Sequence, residues 1–354
     1  MNKLKIALGA TLHKKVQIDS TGGTEIFLYF LARELVKKGH AVTVFASGDS
    51  IVEGNLHGIS TEEEINRMEQ NQRIFYGFQL LESELIAQNQ DKFDIIHINY
   101  FEPFLFTPFS KLIKKPVIYS VHSDLFVSEA WQKLTLQMVK PEDKFIFVSK
   151  NAYNQAKLIK NKTYIYKGID ISIFPFSPNH DNYLLWLGRV RKKKGIKEAV
   201  EAAIQSDQQL IISGVIDNPE EKLFFEKEVK PLIDKNNNIK FLGPVNFEKK
   251  VKLYQKAKAF LFPVSWEEPF GLTMIEAMAC GTPVIGFDRG AVSEVINGGK
   301  TGYVVKDVDE MVKKIKDLGN ILRADCRNWV EKNFSLNRVV SDYESLYYSI
   351  YEQA

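Results

Sequence analysis

The sequence predicts an α/β protein made of two βαβ domains, each built around a mostly parallel sheet. Three observations carry that expectation. Short apolar, β-branched runs alternate with segments of helical period along the chain. The runs are near-continuous rather than alternating apolar and polar, as in strands covered on both faces. They form two series of six, separated by a proline-containing stretch. The length of 354 residues suits two domains of about 100–200 residues each.

Taken in order, the first series is read at Leu4–Gly9, Ala41–Ala46, Asp94–Ile98, Pro116–Val121, Phe145–Ser149 and Thr163–Tyr166. The first helix is the clearest, with Leu28, Leu31, Ala32 and Leu35 at i, i+3, i+4 and i+7 and Gly39 where a C-terminal cap belongs. Residues 50–90 read as helical and polar, with no chemistry to place there. The second series is read at Tyr183–Gly188, Gln209–Gly214, Ile239–Gly243, Ala259–Pro263, Pro283–Phe287 and Gly302–Val305. Between the series, Pro175, Pro178 and several turn formers mark a linker over 174–182. The expected domains are therefore 1–173 and 183–334. The aromatic-rich tail within 335–354 reads as a terminal helix, and a return onto the first domain is one placement for it. The two domains are expected to face each other across a cleft, with ligands at the carboxyl ends of the strands.

Composition excludes several classes. With 45% hydrophobic and 26% charged residues, the chain is neither disordered nor collagenous. Cys280 and Cys326 are too few to staple a fold of this size, which points to a reducing compartment. There is no run of 18 apolar residues, and the first residues lack the features of a secretion signal, so a cytoplasmic location is expected. A net charge of +3 is too balanced for general nucleic-acid binding. Locally, eight lysines lie between Lys133 and Lys167 against Glu142 and Asp143. This stretch is either a solvated surface or a patch that meets an anionic acceptor or the inner membrane face.

Four constellations stand out. Gly22 and Gly23, in Ser20-Thr21-Gly22-Gly23-Thr24-Glu25, expose backbone amides at a helix start, where an anion is favoured, although a loop requirement explains them too. Arg189 follows a strand end and Lys194 precedes a helix, so both are placed to grip a diphosphate or to line a solvated basic loop. In Pro263-Val264-Ser265-Trp266-Glu267-Glu268-Pro269-Phe270-Gly271-Leu272-Thr273-Met274-Ile275-Glu276, a strand ends and a helix begins, with Pro269 read as an early helical position. Glu268 sits at its mouth and Glu276 further along, a layout suited to sugar and ribose hydroxyls beside phosphates on the helix end. His122 ends a first-half strand and faces the expected ligand edge. His97 stays open between structure and function, and His13, His40, His57 and His180 are given no role. There is no Cys/His metal cluster, no ATP-type G-x-x-x-x-G-K loop and no G-x-S-x-G elbow. Asp307-Val308-Asp309 reads as a helix cap.

With these residues in place, the chain resembles glycosyltransferase family 4, the retaining glycosyltransferases of GT-B fold. The resemblance runs over nearly the whole chain. It is strongest at Glu268 and Glu276 and continues through Glu276-Ala277-Met278-Ala279-Cys280-Gly281-Thr282-Pro283 and Asp288-Arg289-Gly290-Ala291. It implies an α/β, GT-B fold of two Rossmann-like domains. It implies that Arg189 and Lys194 hold a donor diphosphate together with Phe270, Gly271, Leu272 and Thr273. Glu276 would bind the ribose, Glu268 the hexose, and His122 would lie beside the transferring sugar. Gly22 and Gly23 would serve as the phosphate loop, and Gly214 and Val245 would line the nucleotide pocket. One departure is Lys167 before Gly168, where the family usually has Asn.

The expected activity is metal-independent transfer of a hexose, with retention, from a nucleoside-diphosphate sugar, UDP-hexose favoured. No cofactor is expected, and the acceptor is an unidentified glycan, glycolipid or small molecule. Charge building on a leaving diphosphate would be offset by fixed cations and a helix end. A sugar phosphorylase, a nucleotide-sugar epimerase and a non-catalytic carbohydrate-binding protein are the alternatives. An NAD-dependent dehydrogenase is disfavoured, because neither Gly9-Ala10-Thr11-Leu12-His13 nor Gly188-Arg189-Val190-Arg191 is a dinucleotide loop.

Overall fold

The computed structural model describes residues 2–20, 22–67 and 72–353, so Thr21 of the first glycine segment lies outside it. The chain divides into two compact units. Unit 1 comprises 1–168 and 336–354, and unit 2 comprises 169–335.

Unit 1 carries a seven-stranded sheet of β1 (Lys5–Ala10), β2 (Ala41–Ala46), β3 (Asn55–Gly58), β4 (Ile95–Asn99), β5 (Val117–Val121), β6 (Lys144–Phe147) and β7 (Lys162–Tyr164), in the order β3-β2-β1-β4-β5-β6-β7. Unit 2 carries six strands, β8 (Tyr183–Arg189), β9 (Gln209–Val215), β10 (Ile239–Phe241), β11 (Ala259–Phe262), β12 (Val284–Phe287) and β13 (Gly302–Val305), in the order β10-β9-β8-β11-β12-β13. The registered pairs in both sheets are parallel. Burial on both faces explains why most strands read as apolar runs: β4, β5, β11 and β12 are buried at every residue. The exception is β3, an edge strand with the sequence Asn-Leu-His-Gly and a largely exposed surface, which carries no apolar run to detect.

Strand order reverses between β1 and β4 in unit 1 and between β8 and β11 in unit 2. At such a switch the connections leave in opposite directions and open a crevice at the carboxyl ends of the strands. Each unit therefore has one built-in ligand edge.

Helix α1 (Gly23–Lys37) buries Phe27, Leu28, Leu31, Ala32 and Leu35 and ends at Gly39, whose φ of +87° and amide bond to the Val36 carbonyl close the last turn. Residues 174–182, read from sequence as the linker, belong to unit 2, and the division falls at Gly168/Ile169 instead. The reason is local bonding: Ser177 N–H donates to the Cys280 carbonyl, and the Arg323 guanidinium donates to the Ser177 carbonyl. The terminal helix (Leu336–Tyr351) belongs with unit 1. Its Tyr347 hydroxyl meets His97 Nδ1 at 2.6 Å, and Glu344 takes Lys38 at 2.8 Å. His97 also bonds Ser120 Oγ at 2.7 Å, and burial pulls its pKa down to about 3, so it is a neutral structural histidine. Among the described residues no helix is long and apolar enough to cross a membrane.

Candidate active site

Unit 2 gathers its charged groups at the β8/β11 switch. Trp186, buried on β8, donates its indole N–H to the Lys194 carbonyl at 3.2 Å and fixes the loop after the strand. Gly195 ends that loop at φ +75°, and a Cβ there would collide with the Pro263 carbonyl at the end of β11. Only glycine lets the two loops meet so closely. Ser265 N–H then donates to the Lys193 carbonyl at 3.0 Å, which brings Lys194 beside the Trp266–Glu268 segment.

Lys194 Nζ donates to Glu268 Oε2 at 2.6 Å and lies 4.7 Å from the centre of the Trp266 ring. The Trp266 indole N–H donates to the same Glu268 oxygen at 3.0 Å. Glu268 is buried, and its backbone is held by the Gly290 turn through the Ala291 amide at 2.9 Å. Arg189 leaves the end of β8 and pairs with Asp217 at 2.7 Å, both about 40% exposed. Helix α2 (Leu272–Ala279) opens four residues after Glu268.

The start of α2 corrects one expectation. Pro269 lies outside the helix, whose cap is Gly271 at φ +87°. A Cβ on Gly271 would stand 2.6 Å from Met274 Cε, so its backbone is both left-handed and closely covered. Leu272 and Thr273 form the half-buried first turn. Phe270 turns into the core, 2% exposed and packed on Phe334, so only its backbone is available to a ligand. Glu276, on the second turn, is buried and receives Lys250 at 3.1 and 3.2 Å and the Tyr254 hydroxyl at 3.0 Å, both from the helix Phe247–Lys256. Gly214 pairs in register with Gly188, and a Cβ on it would meet Val190 at 2.8 Å. Val245 is half-buried beyond β10.

In unit 1, His122 follows β5 directly and is buried. Its Nε2–H donates to Asn99 Oδ1 at 3.2 Å, which leaves Nδ1 as the bare acceptor, with no hydrogen-bond partner among the described residues. Burial holds the imidazole neutral, well below its ordinary pKa, with the Lys167 cation adding to the effect. Gly22 caps α1 and Gly23 opens it, as a phosphate loop would require. The position over Gly22 is nonetheless taken by the Glu25 carboxylate, which a Gly22 Cβ would strike.

In the lysine-rich stretch Lys133, Lys150, Lys157 and Lys160 are exposed, while the other four are turned at least partly inward. Lys140 Nζ donates to the Ile113 and Lys115 carbonyls, Lys162 Nζ to those of Tyr153 and Ala156, and Lys144 Nζ to Asn161. Lys167 is buried.

Sequence reasoning missed Asp217, Lys250 and Tyr254. Lys250 lies in a lysine-rich helix, where it reads as one more solvated cation, and its i, i+4 spacing to Tyr254 is the only signal that the two share a face.

Comparisons with known proteins give the chain a family and a fold. Residues 170–333 match the family model described as glycosyl transferases group 1, and residues 21–173 match glycosyltransferase family 4. N-acetyl-alpha-D-glucosaminyl L-malate synthase of Bacillus anthracis is 25% identical, over 98% of this chain and 98% of that protein. Among solved structures, sucrose-phosphate synthase from Thermosynechococcus elongatus has a TM-score of 0.81 at 20% identity, covering 99% of this chain and 100% of the other. Anabaena HepE in complex with UDP and glucose has a TM-score of 0.75 at 17% identity, covering 98% and 100%. Matched from both ends by family models and sharing the GT-B fold, the chain belongs to the group 1, family 4 glycosyltransferases.

Proposed function

We propose that the protein transfers a hexose from UDP-hexose to an acceptor hydroxyl, with retention and without a metal ion. This reading is supported by where unit 2 carries these groups: Arg189 ends β8, Lys194 follows it and bonds Glu268, and α2 opens after β11, the two strands that flank the switch. Breaking the anomeric carbon–phosphate bond leaves an electron pair on the diphosphate. A guanidinium, an ammonium and the free amides of the first turn of α2 stabilise that charge more in the transition state than in the ground state.

The carboxylates fit the neutral parts of the donor. Glu276 keeps acceptor capacity beyond its bonds to Lys250 and Tyr254, and ribose hydroxyls are suitable donors to it. Glu268 serves the hexose, and its bond to Lys194 holds the ammonium near the phosphates. In unit 1, the neutral His122 keeps Nδ1 open to a ligand hydroxyl. Preference for uridine is supported by the UDP complex of the fold relative, and retention by family membership.

A thermal-shift panel of UDP, GDP and ADP tests the donor. A ligand that binds only the native state raises Tm according to its affinity. UDP is expected to give the largest rise; a larger rise with GDP or ADP would reassign the base, and no rise with any of them would remove the nucleotide-sugar reading.

A further inference from the structure

We propose that Glu25 holds the acceptor hydroxyl, with Lys167 as its counter-ion and Ser123 as a second contact, and that the acceptor is a neutral polyhydroxyl compound. This rests on the glycosyltransferase reading above and concerns unit 1 alone.

Glu25 is the third residue of α1 and folds back over Gly22. A carboxylate there ordinarily caps the helix in contact with water. Glu25 is instead 6% exposed. Burial outweighs the bond to its own amide, so its pKa is pushed up to about 7. Lys167, 7% exposed and three residues beyond β7, adds a smaller influence that favours the charged form. The same ammonium acts on His122, whose ring packs 5.7 Å from Phe27, one turn into α1. Ser123 Oγ is buried beside His122 and, like His122 Nδ1, has no hydrogen-bond partner among the described residues.

These groups come from the carboxyl ends of β1, β5 and β7, the edge where a ligand is expected. Unpartnered buried polar atoms are disfavoured unless something arrives to satisfy them. A hydroxyl does so: it donates one hydrogen to a carboxylate and accepts from an ammonium or a serine. An anion would meet the carboxylate already in place. Lys167 thus supplies a cation that helps a buried acid to accept a hydrogen bond.

The test uses wild type, E25Q, S123A and K167N. UDP binding is measured by calorimetry, and UDP-glucose consumption is followed with water and with glycerol as acceptor, between about pH 5.5 and 8.5. The charged groups facing Glu25 are Lys14, Glu62 and Lys167, with His122 neutral. UDP affinity should stay within about twofold in all three variants. E25Q should slow consumption by roughly 10- to 100-fold and flatten the acid limb of the pH profile. K167N should move that limb to higher pH, and S123A should raise KM for glycerol at near-constant kcat. E25Q with wild-type rate and profile would overturn the proposal, and so would loss of UDP binding in step with activity, which would place Glu25 in donor binding or folding. Wild-type protein that neither binds UDP nor consumes UDP-glucose would sink the donor reading, and this inference with it.

Discussion

The ligand edges of the two units hold their acids differently. Unit 2 pairs each of its carboxylates directly with a lysine: Lys194 for Glu268 and Lys250 for Glu276, at 2.6 and 3.1 Å. Unit 1 buries its acid and its imidazole and lets burial move them toward neutrality, Glu25 to about 7 and His122 well below its usual value. The first arrangement suits a ligand that brings charge, because cations already stand there. The second suits a ligand that brings hydroxyls, because a buried acid, a neutral imidazole and a serine can each exchange a hydrogen bond with one.

The comparison breaks most readily at Arg189. Arg189→Ala should lower kcat about 10²–10³-fold at unchanged fold, the loss expected for one well-placed donor to a developing anion. Wild-type turnover would show that unit 2 does not stabilise the leaving group through this residue. Next in size is Glu25→Gln, read as stability against pH. The Glu25 pKa is raised from 4.5 to about 7 in the fold, so its contribution is full below about pH 4.5 and is lost as pH rises through 7. Denaturant titrations should therefore show E25Q gaining on wild type by up to about 3 kcal/mol between pH 5 and 8. A gap that does not change with pH would mean that unit 1 does not hold its acid under the strain of burial.

Glu276→Gln should weaken UDP binding by roughly tenfold or more, measured by calorimetry, since a charge-assisted hydrogen bond to ribose is lost. Unchanged affinity would reduce Glu276 to a partner for Lys250. The smallest effect expected is none: excess chelator should leave the rate unaltered if fixed cations do the work. Loss of activity in chelator, restored by Mg²⁺ or Mn²⁺, would sharpen the contrast by adding a metal to the donor edge.

Most of the fold was legible because its strands are covered on both faces and so stand out as apolar runs; β3 was not, being exposed at an edge. The candidate site of unit 2 was legible because Arg189, Lys194, Glu268 and Glu276 lie close to strand ends or on the helix that follows one. Their partners were not. Asp217, Lys250 and Tyr254 come from other segments, and nothing local to them announces a site. The start of α2 was misjudged because Pro269 is compatible with an early helical turn, whereas the left-handed backbone that sets the cap belongs to Gly271. Glu25 was visible as part of a glycine segment, but only its burial distinguishes it from an ordinary capping carboxylate.

The most direct test of the central claim is a crystal structure of the protein soaked with UDP. The account predicts the diphosphate within hydrogen-bond distance of Arg189, Lys194 and the amides of Gly271–Thr273, with the ribose on Glu276. A diphosphate bound away from the β8/β11 switch, touching none of these groups, would contradict it.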